Sequence, residues 1–98
     1  MDIEQIIEIL RVNRTLLHQF HVSSLSIFGS VARGEARQNS DIDILVEFEP
    51  GAAIGFFAFT RLQKSLSELV GRPVDLVTSD ALHKALKHNI LKEAVHAF

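Results

Sequence analysis

The chain contains no cysteine, tryptophan or tyrosine, and only two of its 98 residues are proline. Without cysteine it has no disulfides or thiolate metal sites, which fits a reducing compartment. No apolar run approaches the ~20 residues that a membrane-spanning helix needs. The amino terminus does not resemble a signal peptide either, because Asp2 and Glu4 are acids where basic residues are required. We therefore expect a soluble cytoplasmic protein with no membrane partner.

The chain also has little excess charge, since 12 acidic side chains stand against 10 lysines and arginines and the net charge is −2. This balance gives no bulk attraction to nucleic acid, which we do not expect as a direct ligand. Apolar residues make up 47% of the chain, and this fraction excludes a disordered protein. The length predicts a single domain over residues 1–98 with one core.

Hydrophobic spacing predicts an α/β (α+β) fold, a small sheet with helices packed on it. Residues 2–20 and 55–70 show helical periodicity, and Asp2 is a suitable cap for the first helix. Ser79 is a suitable cap for a helix beginning at Asp80. Residues 93–98 either continue that helix or form an edge strand. Short apolar runs predict strands over residues 25–28, 41–48 and 74–78.

The most informative stretch is residues 29–43, which read GSVARGEARQNSDID. Gly29-Ser30 ends the first predicted strand, and Asp41-Ile42-Asp43 opens the second. If both ends serve one ligand, the two strands must run antiparallel, which excludes a doubly wound parallel sheet. A glycine-hydroxyl turn favours close approach of a phosphate, although an ordinary turn capped by Ser30 is the alternative. The pattern is neither a Walker loop nor an EF-hand loop.

Asp41 and Asp43 are two residues apart in a strand, so their carboxylates lie on one face about 7 Å apart. Hard oxygen ligands of this kind suit Mg²⁺ or Mn²⁺, while two solvated aspartates at a strand end are the alternative. Asp75 is a third acid, inside the apolar run Val74–Val77. It either pairs with Arg72 or Arg61 or joins the other aspartates as metal ligand and base.

Four segments together resemble the minimal nucleotidyltransferase (MNT) group of the DNA polymerase β superfamily over essentially the whole chain. The resemblance implies a mixed three- or four-stranded sheet and two Mg²⁺ ions, with Mn²⁺ as an alternative. It also implies transfer of a nucleoside monophosphate, AMP from ATP in our interpretation, with release of pyrophosphate. The segments are Gly29-Ser30, Ala32-Arg33-Gly34, Ser40-Asp41-Ile42-Asp43 and Val74-Asp75-Leu76-Val77.

The resemblance also assigns roles to individual residues. Asp41 and Asp43 would hold both metals, while Asp75 would bind the catalytic metal and help to deprotonate the nucleophile. Gly29 and Ser30 would bind the triphosphate. Arg33 would either brace the turn or neutralise phosphate charge. These residues are our candidate catalytic, metal-binding and substrate-binding groups.

Single-domain proteins of the MNT group are commonly encoded beside a small helical HEPN protein, and the pair resembles a toxin–antitoxin module with an RNase toxin. The MNT member neutralises the toxin by binding and, in some pairs, by transferring AMP to a toxin tyrosine. The present chain has no tyrosine, so it is not its own tyrosine acceptor. Two hypotheses stay open: an active transferase acting on a partner protein, and a non-catalytic module that masks its partner. Transfer to RNA or a small molecule is less favoured, and both homo- and hetero-oligomers are compatible with the sequence.

Aromatic residues begin the predicted helix over residues 55–70. We expect Phe56, Phe57 and Phe59 to lie in the core, with part of a partner surface as the alternative. The five histidines show no metal-binding spacing and are expected on the surface.

Overall fold

The structure, a computed structural model, describes residues 2–35, 37 and 40–98. These residues form helices and strands that alternate along most of the chain. In order they are α1 (Ile3–Val12), α2 (Arg14–Gln19), β1 (Val22–Phe28), α3 (Gly29–Ala32), β2 (Ile42–Phe48), α4 (Phe56–Val70), β3 (Val74–Thr78), a 3-10 turn (Ser79–Ala81), α5 (Lys84–Glu93) and β4 (Val95–His96).

The four strands form one mixed sheet in the order β3-β2-β1-β4. Strand β1 pairs antiparallel with both β2 and β4, and β2 pairs parallel with β3. The predicted α/β fold with a small mixed sheet is therefore confirmed. The antiparallel pairing of the first two strands, which we inferred from a shared ligand site, is also confirmed.

One face of the sheet is covered by α1, α2 and α4, and the core lies between them. Ile42, Ile44 and Val46 alternate along β2 towards this core, so Asp43 lies on the opposite face. In β3 the same alternation places Asp75 on the face opposite to the buried side chains of Val74 and Leu76. The largest fully buried side chains of the core are Ile6, Leu10, Leu17, Leu25, Ile27, Ile42, Ile44, Leu62 and Leu66.

The first predicted helix is divided in two at Asn13. Asp2 caps α1 as expected, because its side chain accepts from the Gln5 N–H while Gln5 accepts from the Asp2 N–H. Asn13 interrupts the helix because its side-chain amide donates to the Ile9 carbonyl at 2.8 Å. That carbonyl is the acceptor that the Asn13 backbone N–H would use in a continuous helix. A single helix over residues 2–20 was therefore wrong.

The structure differs from the sequence prediction in the last helix as well. Ser79 opens a short 3-10 turn instead of capping a helix at Asp80, and α5 begins only at Lys84. The cap is His83, whose Nδ1 accepts from the Ala85 N–H at 3.2 Å. After α5 the chain becomes extended, so the edge-strand alternative for residues 93–98 is confirmed for β4.

The long helix α4 lies close to its predicted position. Gly55 is its N-cap residue, and Gly71 ends it in the left-handed conformation. Phe56 and Phe57 are 77% and 80% exposed, so their predicted place in the core was wrong. They belong to the first turn, where Phe56 borders an open cavity instead of packing on the sheet. Phe59 does pack against the core.

Side chains of α4 also satisfy backbone groups of the edge strand β3. The Val74 N–H donates to Ser67 Oγ at 3.0 Å, and the Leu76 N–H donates to Gln63 Oε1 at 3.1 Å. Exposed strand edges invite pairing with other chains, and these contacts cover the edge. None of the helices in the described part of the chain has the length and apolar composition needed to cross a bilayer.

The predicted helical turn and loop over residues 30–40 correspond to α3 and the segment after it. Here α3 contains a single turn, and Arg33 follows it. Three positions of that segment, Ala36, Gln38 and Asn39, lie outside the described residues.

Candidate active site

Two aspartates are adjacent near the starts of β2 and β3. Asp43 of β2 is in register with Asp75 of β3 on one side and with Phe28 of β1 on the other. Residues in register on neighbouring strands face the same side, with backbones about 4.8 Å apart. The sheet therefore brings together two carboxylates that are far apart in the sequence.

Gly29 lies directly against Asp43. It begins α3 with φ +72°, a left-handed conformation that favours glycine. A Cβ atom at position 29 would overlap Asp43 Oδ2 and lie 3.0 Å from Asp43 Cγ. The turn after β1 therefore approaches the carboxylate closely only because residue 29 has no side chain.

The next residue carries a hydroxyl beside this turn. Ser30 is half-buried, and its hydroxyl makes no hydrogen bond to any described residue. The predicted turn of Gly29 and Ser30 thus lies at the end of β1, beside the aspartates at the starts of β2 and β3.

The three aspartates influence one another electrostatically. Partial burial raises the pKa of Asp43, and the nearby charges of Asp75 and Asp41 raise it further. Arg33 opposes this shift. An acid destabilised by two other acids gains from a cation, so the donor set fits the divalent metal that the resemblance implies.

The acids do not form a closed cage. Asp41, which precedes β2, is exposed, as is Asp75. Within residues 2–35, 37 and 40–98, no group of three His, Cys, Asp or Glu side chains is close enough to enclose one ion. Mg²⁺ usually takes one or two carboxylates and completes its coordination with substrate phosphates and water, so an open set is compatible with it. The three-aspartate metal site stays a prediction.

Arg33 points to the C-terminal helix. Its Nη1 atom lies 3.2 Å and 3.3 Å from the two carboxylate oxygens of Glu93, and its Nε atom lies 3.0 Å from Glu35. These hydrogen bonds, first to Glu35 and then to Glu93, raise the pKa of Arg33. These contacts agree with the first role considered for Arg33, which is to brace the turn. Glu93 was missed by the sequence analysis, because it belongs to no motif and lies 60 residues from Arg33.

The alternative for Asp75, a salt bridge to Arg72 or Arg61, is not observed among the described ion pairs. Arg72 instead donates through Nη2 to the carbonyls of Arg37 and Ser40. These contacts tie the segment before Asp41 to the turn before β3. The Nε atom of Arg72 is buried and has no partner among the described residues.

One cavity lies away from the aspartates. It has a volume of about 700 Å³ and lies at the far ends of β2 and β3, lined in part by Phe48, Phe59 and Leu76. None of the candidate site residues lines it.

Residues 3–96 match the family described as nucleotidyltransferase domain. The chain belongs to this family. One relative of the nucleotidyltransferase is the protein adenylyltransferase MntA of Thermococcus cleftensis. It is 36% identical over 97 residues, which cover 98% of this chain and 96% of the relative. The resemblance found in the sequence is therefore confirmed.

Solved structures agree with this assignment. The nucleotidyltransferase superposes with a TM-score of 0.79 on a structure described as "Structure of putative minimal nucleotidyltransferase", at 37% identity, covering 97% of this chain and 95% of the other. It also shares its fold with the MNT antitoxin in a complex with the tri-AMPylated HEPN toxin of Shewanella oneidensis. There the TM-score is 0.59 at 18% identity, with 90% of this chain and 71% of the other covered. At that identity the likeness shows the fold alone.

Proposed function

We propose that this nucleotidyltransferase, as one domain over residues 1–98, transfers AMP from ATP to a partner protein in a Mg²⁺-dependent reaction. The observation that carries the proposal is the register of Asp43 with Asp75, with Gly29 packed against Asp43. The arrangement places a candidate phosphate-binding turn and candidate metal-binding acids on one surface. The adenylyltransferase relative supports AMP as the group transferred.

In this proposal the turn of Gly29 and Ser30 binds the triphosphate: Gly29 has no side chain and leaves room for close approach, and Ser30 donates through its backbone N–H and its hydroxyl. Asp41 and Asp43 would hold two Mg²⁺ ions, and Asp75 would share the catalytic one. Bound Mg²⁺ would neutralise phosphate charge and orient the α-phosphate for in-line attack. Arg33 adds positive charge near the turn.

The transfer step needs one proton acceptor, and the chain supplies it. A hydroxyl oxygen of the acceptor attacks the α-phosphorus of ATP, and its proton passes to Asp75. The bond from the α-phosphorus to the bridging oxygen breaks, and pyrophosphate leaves with that oxygen. The product is an AMP ester of the acceptor.

The acceptor is proposed to be a HEPN-type helical protein encoded in the adjacent gene, which the chain would neutralise as an antitoxin. A HEPN toxin carrying AMP occurs in the Shewanella oneidensis complex, whose MNT member shares this fold. The site also supports an external acceptor, because Asp41 and Asp75 are exposed and the chain contains no tyrosine.

The test is to incubate the chain with the adjacent-gene product, ATP and Mg²⁺, and to measure the intact masses of both proteins. We expect the partner to gain one or more AMP units, and chelation of the metal to abolish the gain. Replacing Asp43 by Asn should also abolish it. If the Asp43→Asn variant still neutralises a partner of unchanged mass, the second hypothesis, a non-catalytic masking module, is correct.

A further inference from the structure

Glu93, the last residue of α5, contacts both ends of the turn formed by α3. Its Oε1 atom accepts from the Gly29 N–H at 3.1 Å across 64 residues of sequence. The same carboxylate accepts from Arg33 Nη1 at 3.2 Å and 3.3 Å. One carboxylate therefore joins Gly29, the first residue of α3, to Arg33, the residue that follows the helix.

Both contacts involve groups that α3 cannot satisfy by itself. The N–H of a residue that begins a helix has no acceptor within the helix, and Gly29 is in this position. Arg33 also pairs with Glu35, but that carboxylate is 65% exposed, whereas the Glu93 side chain is 30% exposed. The Glu93 contact is thus the better sheltered of the two, and such contacts are less weakened by water.

The sheet fixes Glu93 and the turn relative to each other. Val95 of β4, two residues after Glu93, pairs with Ile27 of β1, two residues before Gly29. Helix α5 also contacts both α3 and β1. The position of the carboxylate is therefore set by strand pairing and does not depend on a flexible tail.

We propose that Glu93 is a positioning residue, which holds the Gly29–Arg33 turn in the shape that binds the triphosphate. The inference rests on the proposed function for its ligand. By accepting from Gly29, Glu93 anchors the start of the turn while the Ser30 hydroxyl stays free of described partners. By accepting from Arg33, it sets the direction of that guanidinium. Residues near the end of the chain therefore belong to the active site.

A carboxylate at a backbone N–H could instead compete with phosphate for the same donor. The two roles predict opposite signs, since removal of a competitor tightens ATP binding and removal of a positioning residue weakens it. The Gly29 N–H is already paired with Glu93, whereas the Ser30 hydroxyl has no partner among the described residues, and this difference favours positioning.

The experiment compares Glu93→Ala, Glu93→Gln and Glu35→Gln in the full chain. Affinity for ATP with Mg²⁺ is measured by calorimetry, and exchange of the Gly29 amide proton is measured by NMR without ligand. We expect Glu93→Ala to weaken ATP binding about tenfold, the effect of losing one charge-assisted hydrogen bond. The ATP affinity of Glu93→Gln should lie between those of Glu93→Ala and wild type, because the glutamine amide oxygen still accepts from the Gly29 N–H.

Glu35→Gln is the matched control, because it removes the charge of an Arg33 partner that does not touch the Gly29 amide, and the ATP affinity of this variant should stay within about twofold of wild type. Unchanged or tighter ATP binding by Glu93→Ala overturns the proposal. If Glu93→Ala does not fold, the ATP affinity of Glu93→Gln decides by the same comparison. If wild type binds no ATP, the proposed function fails by itself. In that case faster Gly29 exchange in the Glu93 variants than in Glu35→Gln still supports positioning, and unchanged exchange overturns it.

Discussion

Gly29 is packed against Asp43 so closely that a methyl group on Gly29 would overlap the Asp43 carboxylate. The contact joins the candidate phosphate-binding turn to the candidate metal-binding strand. It also explains why a glycine follows β1, since the turn requires both its left-handed backbone and its lack of a side chain.

Replacing Gly29 by Ala should therefore displace Asp43 as well as strain the backbone. Gly34 is the matched control, because its φ is +73° and no atom of the described residues lies within 4 Å of a Cβ built there. We expect Gly34→Ala to lower the free energy of unfolding by about 1–2 kcal/mol, the cost of the left-handed backbone. Gly29→Ala should lower it by about 1–3 kcal/mol more, as overpacking does. Urea denaturation measures both, and equal losses would show that the close contact is not present.

The raised pKa of Asp43 gives a prediction about pH. Between its unfolded and folded pKa values the native state binds more protons than the unfolded state, so the stability of the folded protein falls as pH rises. With metal chelated at neutral pH, Asp43→Asn should be more stable than wild type by about 1–4 kcal/mol, the repulsion between charges a few Å apart.

This advantage should shrink as pH falls through the folded pKa and vanish well below 3.8, the ordinary value. Asp41→Asn should shift stability in the same direction by less, because it removes only one of the charges that raise the Asp43 pKa and leaves the larger effects of burial and Asp75 in place. Melting temperatures recorded across a pH series provide the measurement, with Asp80→Asn as the control. A lower stability of both site variants at every pH would mean that the acids are not clustered.

The contact between Gln63 and β3 predicts a cost for losing one acceptor. Gln63→Leu leaves the Leu76 N–H without its partner and should reduce the free energy of unfolding by about 1–3 kcal/mol. Gln63→Glu retains an oxygen at the same position and is the control, with a smaller loss expected. Chemical denaturation of both variants distinguishes the hydrogen bond from packing of the side chain. Equal losses would assign the effect to packing.

The exposed aromatic residues of α4 should contribute little to folding. Phe57→Ser is expected to change the free energy of unfolding by no more than about 0.5 kcal/mol, as surface substitutions usually do. Phe59→Ala should cost about 2–4 kcal/mol, because that ring packs against the core. Thermal unfolding of the pair tests the division of α4 into an exposed first turn and a buried face. A large loss for Phe57→Ser would contradict it.

Much of the fold could be predicted from local patterns. Strand β3 was predicted with its observed bounds, because its apolar run lies between Pro73 and Ser79. The antiparallel pairing of β1 with β2 was inferred from the hypothesis that Ser30 and Asp41 serve one ligand. The pairing itself is confirmed. The break at Asn13 was missed because helical periodicity continues across it, while a side-chain hydrogen bond decides the backbone.

The candidate site was predicted only in part, because local sequence patterns do not show every contact of the folded chain. Asp43 and Asp75 belong to recognisable segments, and their register in the sheet agrees with a shared site. Glu93 has no local signal, since its contacts to Gly29 and Arg33 depend on how β4 pairs with β1. Phe56 and Phe57 start an amphipathic helix, where aromatic residues are more often in the core, yet the sequence does not show where along the helix the core ends.

The most direct test of the account follows the α-phosphorus of ATP. The adjacent-gene product is incubated with the chain, Mg²⁺ and ATP radiolabelled at either the α- or the γ-phosphorus, beside the Asp43→Asn variant. The account predicts label on the partner protein from α-labelled ATP only, release of pyrophosphate, and no label with Asp43→Asn. Neutralisation of the partner by the wild-type chain without any α-label on it would contradict the account.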